Sequence, residues 1–202
     1  KLASLESSVQ GVVRSEADRR VNAERILLSL ELANLKRVLD RGQKFSAELA
    51  EVKKSAGGGI DLSALEKFKD QGVPTLPELI RDFGPASGRI VDLAQEPADG
   101  TVLERLMSGA KSIVRVRRTD HAANDKSADA IVGRIEAALK DNRLGDVVLE
   151  AKALSAEARD IAKGWLDRVA ARQSVEGALA GVEAQLKASL GGARAPAEKS
   201  SN

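Results

Sequence analysis

Three groups of residues in this 202-residue chain have types and spacings that chemistry could use. Ser108-Gly109-Ala110-Lys111-Ser112 has the small residues and the lysine of a phosphate-cradling loop. It lacks the leading glycine and the Gly-Lys pair that turn backbone amides onto a phosphate, and no strand precedes it, so nucleotide binding is not supported. His121, the one histidine, lies near Asp120 and Asp125, a set that could hold a divalent ion. The polar loop 119–126 gives that set no fixed geometry, and a solvated loop is the simpler reading. Glu48 and Glu51 fall on one helix face, where solvated charge is again the simpler reading. No nucleophile and base can be paired, so the chain reads as a non-enzyme with no metal and no cofactor.

The segment 101–118 is different, because it combines an apolar stripe with concentrated charge. On a helix, Leu103, Leu106, Met107, Ala110, Ile113 and Val114 fall at i, i+3, i+4, i+7, i+10 and i+11, one continuous face. Arg105, Lys111, Arg115, Arg117 and Arg118 stand against the single Glu104, a net of +4 compared with +2 for the whole chain. A cationic amphipathic helix can lie in a membrane interface, with its basic side chains on anionic headgroups. The alternative is that the same stripe packs in the chain's own core, as in a soluble helical adaptor between proteins. Gly109 weakens the helix by about 1 kcal/mol relative to alanine.

Composition narrows the remaining classes. Aromatic residues make up 2% of the chain, Phe45, Phe68, Phe83 and Trp165, too few for the stacking platforms of single-strand binders. The small net charge likewise gives no sign of nucleic-acid binding. Cysteine is absent, which excludes disulfides and thiolate chemistry. No run of 18 or more apolar residues is present to span a bilayer. The sequence opens at Lys1 already inside a helical pattern, which reads as a fragment of a longer protein.

Helical periodicity organises nearly everything else, and the expected class is all-α. Alternating steps of three and four give Leu2, Leu5, Val9, Val12, Glu16, Arg19, Ala23, Ile26, Leu30 and Ala33. Such a near-heptad seam predicts a coiled coil or bundle contact, with Leu2, Leu5, Val9 and Val12 as self-association residues. At 1.5 Å per residue the helix over 1–41 is about 60 Å long, so its first half is expected to project as an arm. From Ile26 the pattern thickens through Leu27, Leu28, Leu30, Leu32, Leu35, Val38 and Leu39, which predicts arrival in a globular core. Capping boxes are expected at Ser63 with Glu66, Thr75 with Glu78 and Thr101 with Glu104. Gly84-Pro85 is expected to break or kink its helix. Two short helices around 130–139 and 147–154 are separated by the turn Asp141-Asn142-Arg143-Leu144-Gly145-Asp146, and a long helix follows from about 155 to 190. The expected segments are 1–41, 42–118 and 127–190, with 191–202 as a disordered tail. No repeat recurs at a fixed 34-residue spacing. Trp165 sits in a Leu/Ala stripe and reads as core, with a partner-binding role as the other possibility.

The C-terminal half carries a pattern that adds to this reading. Leu144-Gly145-Asp146-Val147-Val148, Glu150-Ala151-Lys152-Ala153-Leu154, Ala158-Arg159, Trp165-Leu166 and Arg172 together resemble the signature domain of mitofilin. Leu39-Asp40-Arg41-Gly42-Gln43-Lys44-Phe45-Ser46-Ala47-Glu48-Leu49 and Gly72-Val73-Pro74-Thr75-Leu76-Pro77-Glu78-Leu79 are similar to its alphaproteobacterial members, so the resemblance covers about residues 33–172. At Gly164 the chain departs from the family, which tends to carry an acidic residue before the tryptophan. The resemblance implies a scaffold that shapes the inner membrane, with an N-terminal anchor, a coiled coil and this domain facing the periplasm. It implies lipid contact through an amphipathic element, carried here onto Leu103 to Arg118, self-association through the coiled coil, and contact with outer-membrane assembly proteins. Leu144, Gly145, Leu154, Trp165, Leu166 and Val169 would then be packing or interface residues of the signature domain.

Overall fold

The computed structural model describes residues 2–56, 60–95 and 125–192, and within them every regular element is a helix. The order is α1 (Leu2–Asp40), α2 (Ser46–Ala56), α3 (Ser63–Glu66), α4 (Leu76–Gln95), α5 (Ala128–Lys140), α6 (Leu144–Ala151) and α7 (Ala156–Gly192). The all-α class is therefore observed. None of these helices is long and apolar enough to cross a membrane. The chain divides into two compact units that do not follow chain order. One joins the residues up to Val73 with those from Ser174 onward, and the other is Pro74–Gln173.

In the first unit, α1 packs on α2 and α2 on α3. The stop after Asp40 has a specific cause. Gly42 adopts φ +67°, the left-handed cap that a glycine takes without a Cβ penalty, and its N–H donates to the Leu39 carbonyl at 2.9 Å. Gly72 is positive in φ as well, and a Cβ there would lie 2.7 Å from the Gln43 carbonyl oxygen and 2.8 Å from that of Gly42. Any residue other than glycine is strained at this point. Nearby, the Phe45 N–H donates to the Lys69 carbonyl at 2.9 Å, which holds the start of α2 against the segment after α3. Leu28, Leu32, Leu35 and Leu39 of α1 are buried, as are Phe45, Leu49, Val52 and Leu65, and Val175, Leu179 and Val182 from α7.

The second unit is built around α4, α5, α6 and the part of α7 before Ser174. Its core cluster includes Leu79, Phe83, Ile90, Ile131, Ile135, Leu139, Leu144, Val147, Leu154, Trp165 and Val169. Thr75 and Glu78 form the expected capping box: the Thr75 N–H donates to Glu78 Oε2 at 2.8 Å, and the Glu78 N–H donates to Thr75 Oγ1 at 3.3 Å. Ser127 and Ser155 cap α5 and α7 with the one-way half of that arrangement, their hydroxyls accepting from the Ala130 and Ala158 N–H groups.

Four expectations need correction. Of the break or kink expected at Gly84-Pro85, the break is absent: α4 runs on as one helix with Pro85 inside it. Proline costs about 3 kcal/mol there, but Leu79, Phe83, Ile90 and Val91 are all buried, each gaining about 1.5–3 kcal/mol. Burial wins. The turn between the short helices is confined to 141–143, where Asn142 takes φ +53°, while Leu144, Gly145 and Asp146 already form the first turn of α6. Leu154 is buried but lies beyond the end of α6. Ser63 and Glu66 make no capping box: Asp61 Oδ1 accepts from the Ser63 N–H at 2.9 Å, and Glu66 pairs with Lys53 and Lys69 at 2.7 and 2.9 Å. Thr101 with Glu104 lies outside the described residues, as does 193–202; α7 itself reaches Gly192.

Candidate functional site

Among the described residues, the seam of α1 carries most of the exposed large hydrophobic side chains. Leu2, Leu5, Val9, Val12, Ile26 and Leu30 are all exposed, between 56% at Val9 and 80% at Leu2, so both ends of the stripe are without packing among the described residues. Ala23 and Ala33 between and beyond them are exposed too. In heptad terms these residues occupy a and d, whereas the buried Leu28, Leu32, Leu35, Val38 and Leu39 occupy b, c and f. The thickening of the apolar pattern after Ile26 is therefore two stripes on one helix. The one carrying Leu28 enters the core, and Ile26, Leu27 and Leu30 stay outside it. Sequence reading had merged the two.

From Leu2 to Leu27 every residue is exposed except the half-buried Arg25, so this stretch has no core of its own. A helix standing free in water is marginal, and Gly11 costs it about 1 kcal/mol more. Burying six large aliphatic side chains would return on the order of 10 kcal/mol per helix. That compares with roughly 4–15 kcal/mol for the freedom lost on association. Polar groups interrupt the stripe once, at Glu16 and Arg19, where Arg19 Nη1 meets Glu16 Oε1 at 2.8 Å within the helix.

The signature-type residues gather in the second unit. Trp165 is buried at 7% exposure and its ring lies 4.4 Å from that of Phe83, tilted by 32°. Its indole N–H donates to the Leu79 carbonyl at 3.0 Å, a bond between residues 86 apart in the chain. One turn further along α7, Arg168 Nη1 donates to Asp82 Oδ2 at 2.6 Å. That guanidinium, followed by Arg81, holds the Asp82 carboxyl below the usual carboxylate range. Glu78 is lowered too, first by the Thr75 backbone N–H and then by its hydroxyl. Leu144, Leu154 and Val169 are buried with the tryptophan, and Leu166 packs against the cluster half-buried. Gly145 faces Gln173, whose Nε2 would lie 3.3 Å from an added Cβ.

Sequence reasoning missed the Arg134 contacts. Its Nε donates to Glu150 Oε2 at 2.8 Å and its Nη1 to the Asp125 carbonyl at 2.9 Å, tying α5 to α6 and to the segment before it. No local spacing announces a pair 16 residues apart. An open groove of about 310 Å³ in the first unit is lined by Ile60, Asp61 and Ala64 and by Ser174, Ala178 and Gly181 of α7. Its one carboxylate, Asp61, accepts from the Ser63 N–H through Oδ1, and no histidine or lysine stands among the described lining residues to pair with the Ser174 hydroxyl. Among the described residues no group of three His, Asp or Glu side chains could hold a metal ion. The proposed lipid-contact residues, Leu103, Arg105, Leu106, Met107, Ala110, Lys111, Ile113, Val114, Arg115, Arg117 and Arg118, all lie outside the described residues, as does His121.

Compared with known proteins, the chain matches no family model, no curated protein and no solved structure.

Proposed function

We propose that this chain is a non-catalytic scaffold of mitofilin type, which self-associates through α1 and tethers and shapes an anionic membrane surface. The observation that carries the reading is the outward seam of α1, a heptad stripe left exposed among the described residues. The lipid half of the proposal rests on the sequence of 101–118, with its apolar stripe and net +4 charge. The mitofilin resemblance supports both halves and adds the setting: the periplasmic side of the inner membrane, with outer-membrane assembly proteins as possible further partners.

The division of labour is physical. Aliphatic side chains of 101–118 enter the headgroup layer, and each Lys or Arg near an anionic surface adds about 1 kcal/mol. Joining two such chains through α1 turns one lipid contact into two, which lets one assembly hold two patches of membrane. Co-flotation and turbidity of anionic vesicles test both steps. Wild type is expected to float with the vesicles and to cluster them. Met107→Glu/Ile113→Glu is expected to stay folded by circular dichroism yet fail to float. Leu5→Asp/Ile26→Asp is expected to float but no longer cluster. Wild type that stays at the bottom of the gradient contradicts the membrane reading and leaves a soluble helical adaptor.

A further inference from the structure

The seam of α1 has a direction written into its two charged positions. Its a positions are Leu2, Val9, Glu16, Ala23 and Leu30, and its d positions are Leu5, Val12, Arg19, Ile26 and Ala33. In a parallel, in-register pair, a faces a and d faces d, which would set Glu16 against a second Glu16 and Arg19 against a second Arg19. In an antiparallel pair a faces d. When the numbers of facing residues add to 35, Leu5 meets Leu30, Val9 meets Ile26, Val12 meets Ala23, and Glu16 meets Arg19 at both central layers. Sliding by one heptad either way places Glu16 against Val12 or Ile26, and Arg19 against Val9 or Ala23, which strands charge against aliphatic groups.

We infer that the occupant of the seam is a second copy of this chain, lying antiparallel with Glu16 of each copy facing Arg19 of the other. The Arg19–Glu16 contact within the helix, 2.8 Å long, then becomes half of a ring of four alternating charges. The second copy displaces none of the described residues, because Leu28, Leu32, Leu35 and Leu39 hold the chain's own core from the other side of the helix. This inference rests on the self-association proposed above and adds to it a partner, a direction and a register.

The chain has no cysteine, so single introduced cysteines report the pairing without background. Full-length Val9→Cys and Ile26→Cys proteins are oxidised separately and as a mixture, with sedimentation of the unmodified chain alongside. Both positions are exposed, so the fold tolerates them, and circular dichroism checks this. The mixture is expected to give disulfide-linked dimers, with little linkage in either protein alone. Self-linkage of Val9→Cys in comparable yield overturns the direction but leaves self-association standing. A monomer in sedimentation overturns both. Glu16→Arg gives an independent reading: two attractive facings become repulsive, and the dimer is expected to weaken at least ~10-fold. An unchanged affinity, as a parallel pair trading Glu–Glu for Arg–Arg would give, overturns the antiparallel arrangement.

Discussion

At the scale of single residues, the second unit depends on the environment of Trp165. Its ring packs on Phe83 and its N–H satisfies the Leu79 carbonyl, so shape and hydrogen bonding are joined in one side chain. Trp165→Phe keeps most of the volume but removes the donor, and is expected to cost about 1–3 kcal/mol. Trp165→Ala also opens a cavity and is expected to cost about 3–5 kcal/mol. Urea unfolding followed by circular dichroism measures both, since the fluorophore itself is removed. Acid provides a second test. Glu78 and Asp82 have lowered pKa values in the folded chain, so they stabilise it above their unfolded values and lose that contribution as pH falls through the folded ones. Urea midpoints between roughly pH 6 and 3 should therefore fall with pH, and Glu78→Gln/Asp82→Asn should flatten the decline. A double variant with the same steep acid limb would show that other carboxyls carry it. The core role of Trp165 was legible from its place in a Leu/Ala stripe. Its bond to Leu79 and the Arg168–Asp82 pair were not, because both join residues 86 apart that no local spacing relates.

At the scale of elements, periodicity was a better guide than punctuation. The heptad seam and the long last helix could be read directly, because a 3.6-residue repeat leaves its mark on every turn. Gly42 stops α1 through its positive φ. Capping spacing was less decisive. Thr75 with Glu78 closed a box, but at Ser63 the carboxylate of Asp61 took the N–H first and Glu66 was drawn away by Lys53 and Lys69. The S-x-x-E pattern states what is possible, and neighbouring charges decide whether it happens. Pro85 failed as a breaker because the buried face of α4 is worth more than the lost backbone bond. Gly72→Ala tests a position where the backbone leaves no such freedom. With φ +76° and two carbonyl oxygens under 3 Å from the added Cβ, it is expected to cost roughly 1–3 kcal/mol, read as a lower urea midpoint. The lipid contact proposed for 101–118 has its own signature: raising salt from low to physiological strength should weaken vesicle binding without abolishing it, because screening removes attraction between charges and not the proposed insertion of Leu106 and Ile113. Binding lost entirely in salt would mean that no side chain inserts.

At the scale of the whole molecule, one helix turns opposite faces to two different settings. The b, c and f positions of α1 from Leu28 onward hold it in the first unit, and the a and d positions from Leu2 to Ala33 are exposed, the face the proposal assigns to association. Helical periodicity already points Leu28 and Leu30 to different faces, but which face enters the chain's own core is decided only by docking, and that is not written in the spacing. A scaffold needs this separation, because a seam also required for folding could not exchange partners. If the seam is satisfied only between chains, the helicity of 2–27 should rise with protein concentration, as binding stabilises the bound conformation by mass action. The most direct measurement is sedimentation equilibrium of the full chain beside Leu5→Asp/Ile26→Asp, both checked for helicity by circular dichroism. Wild type is expected to behave as a dimer at micromolar concentrations and the variant as a folded monomer. A wild-type chain that remains monomeric, or a variant that still associates, would contradict self-association through α1.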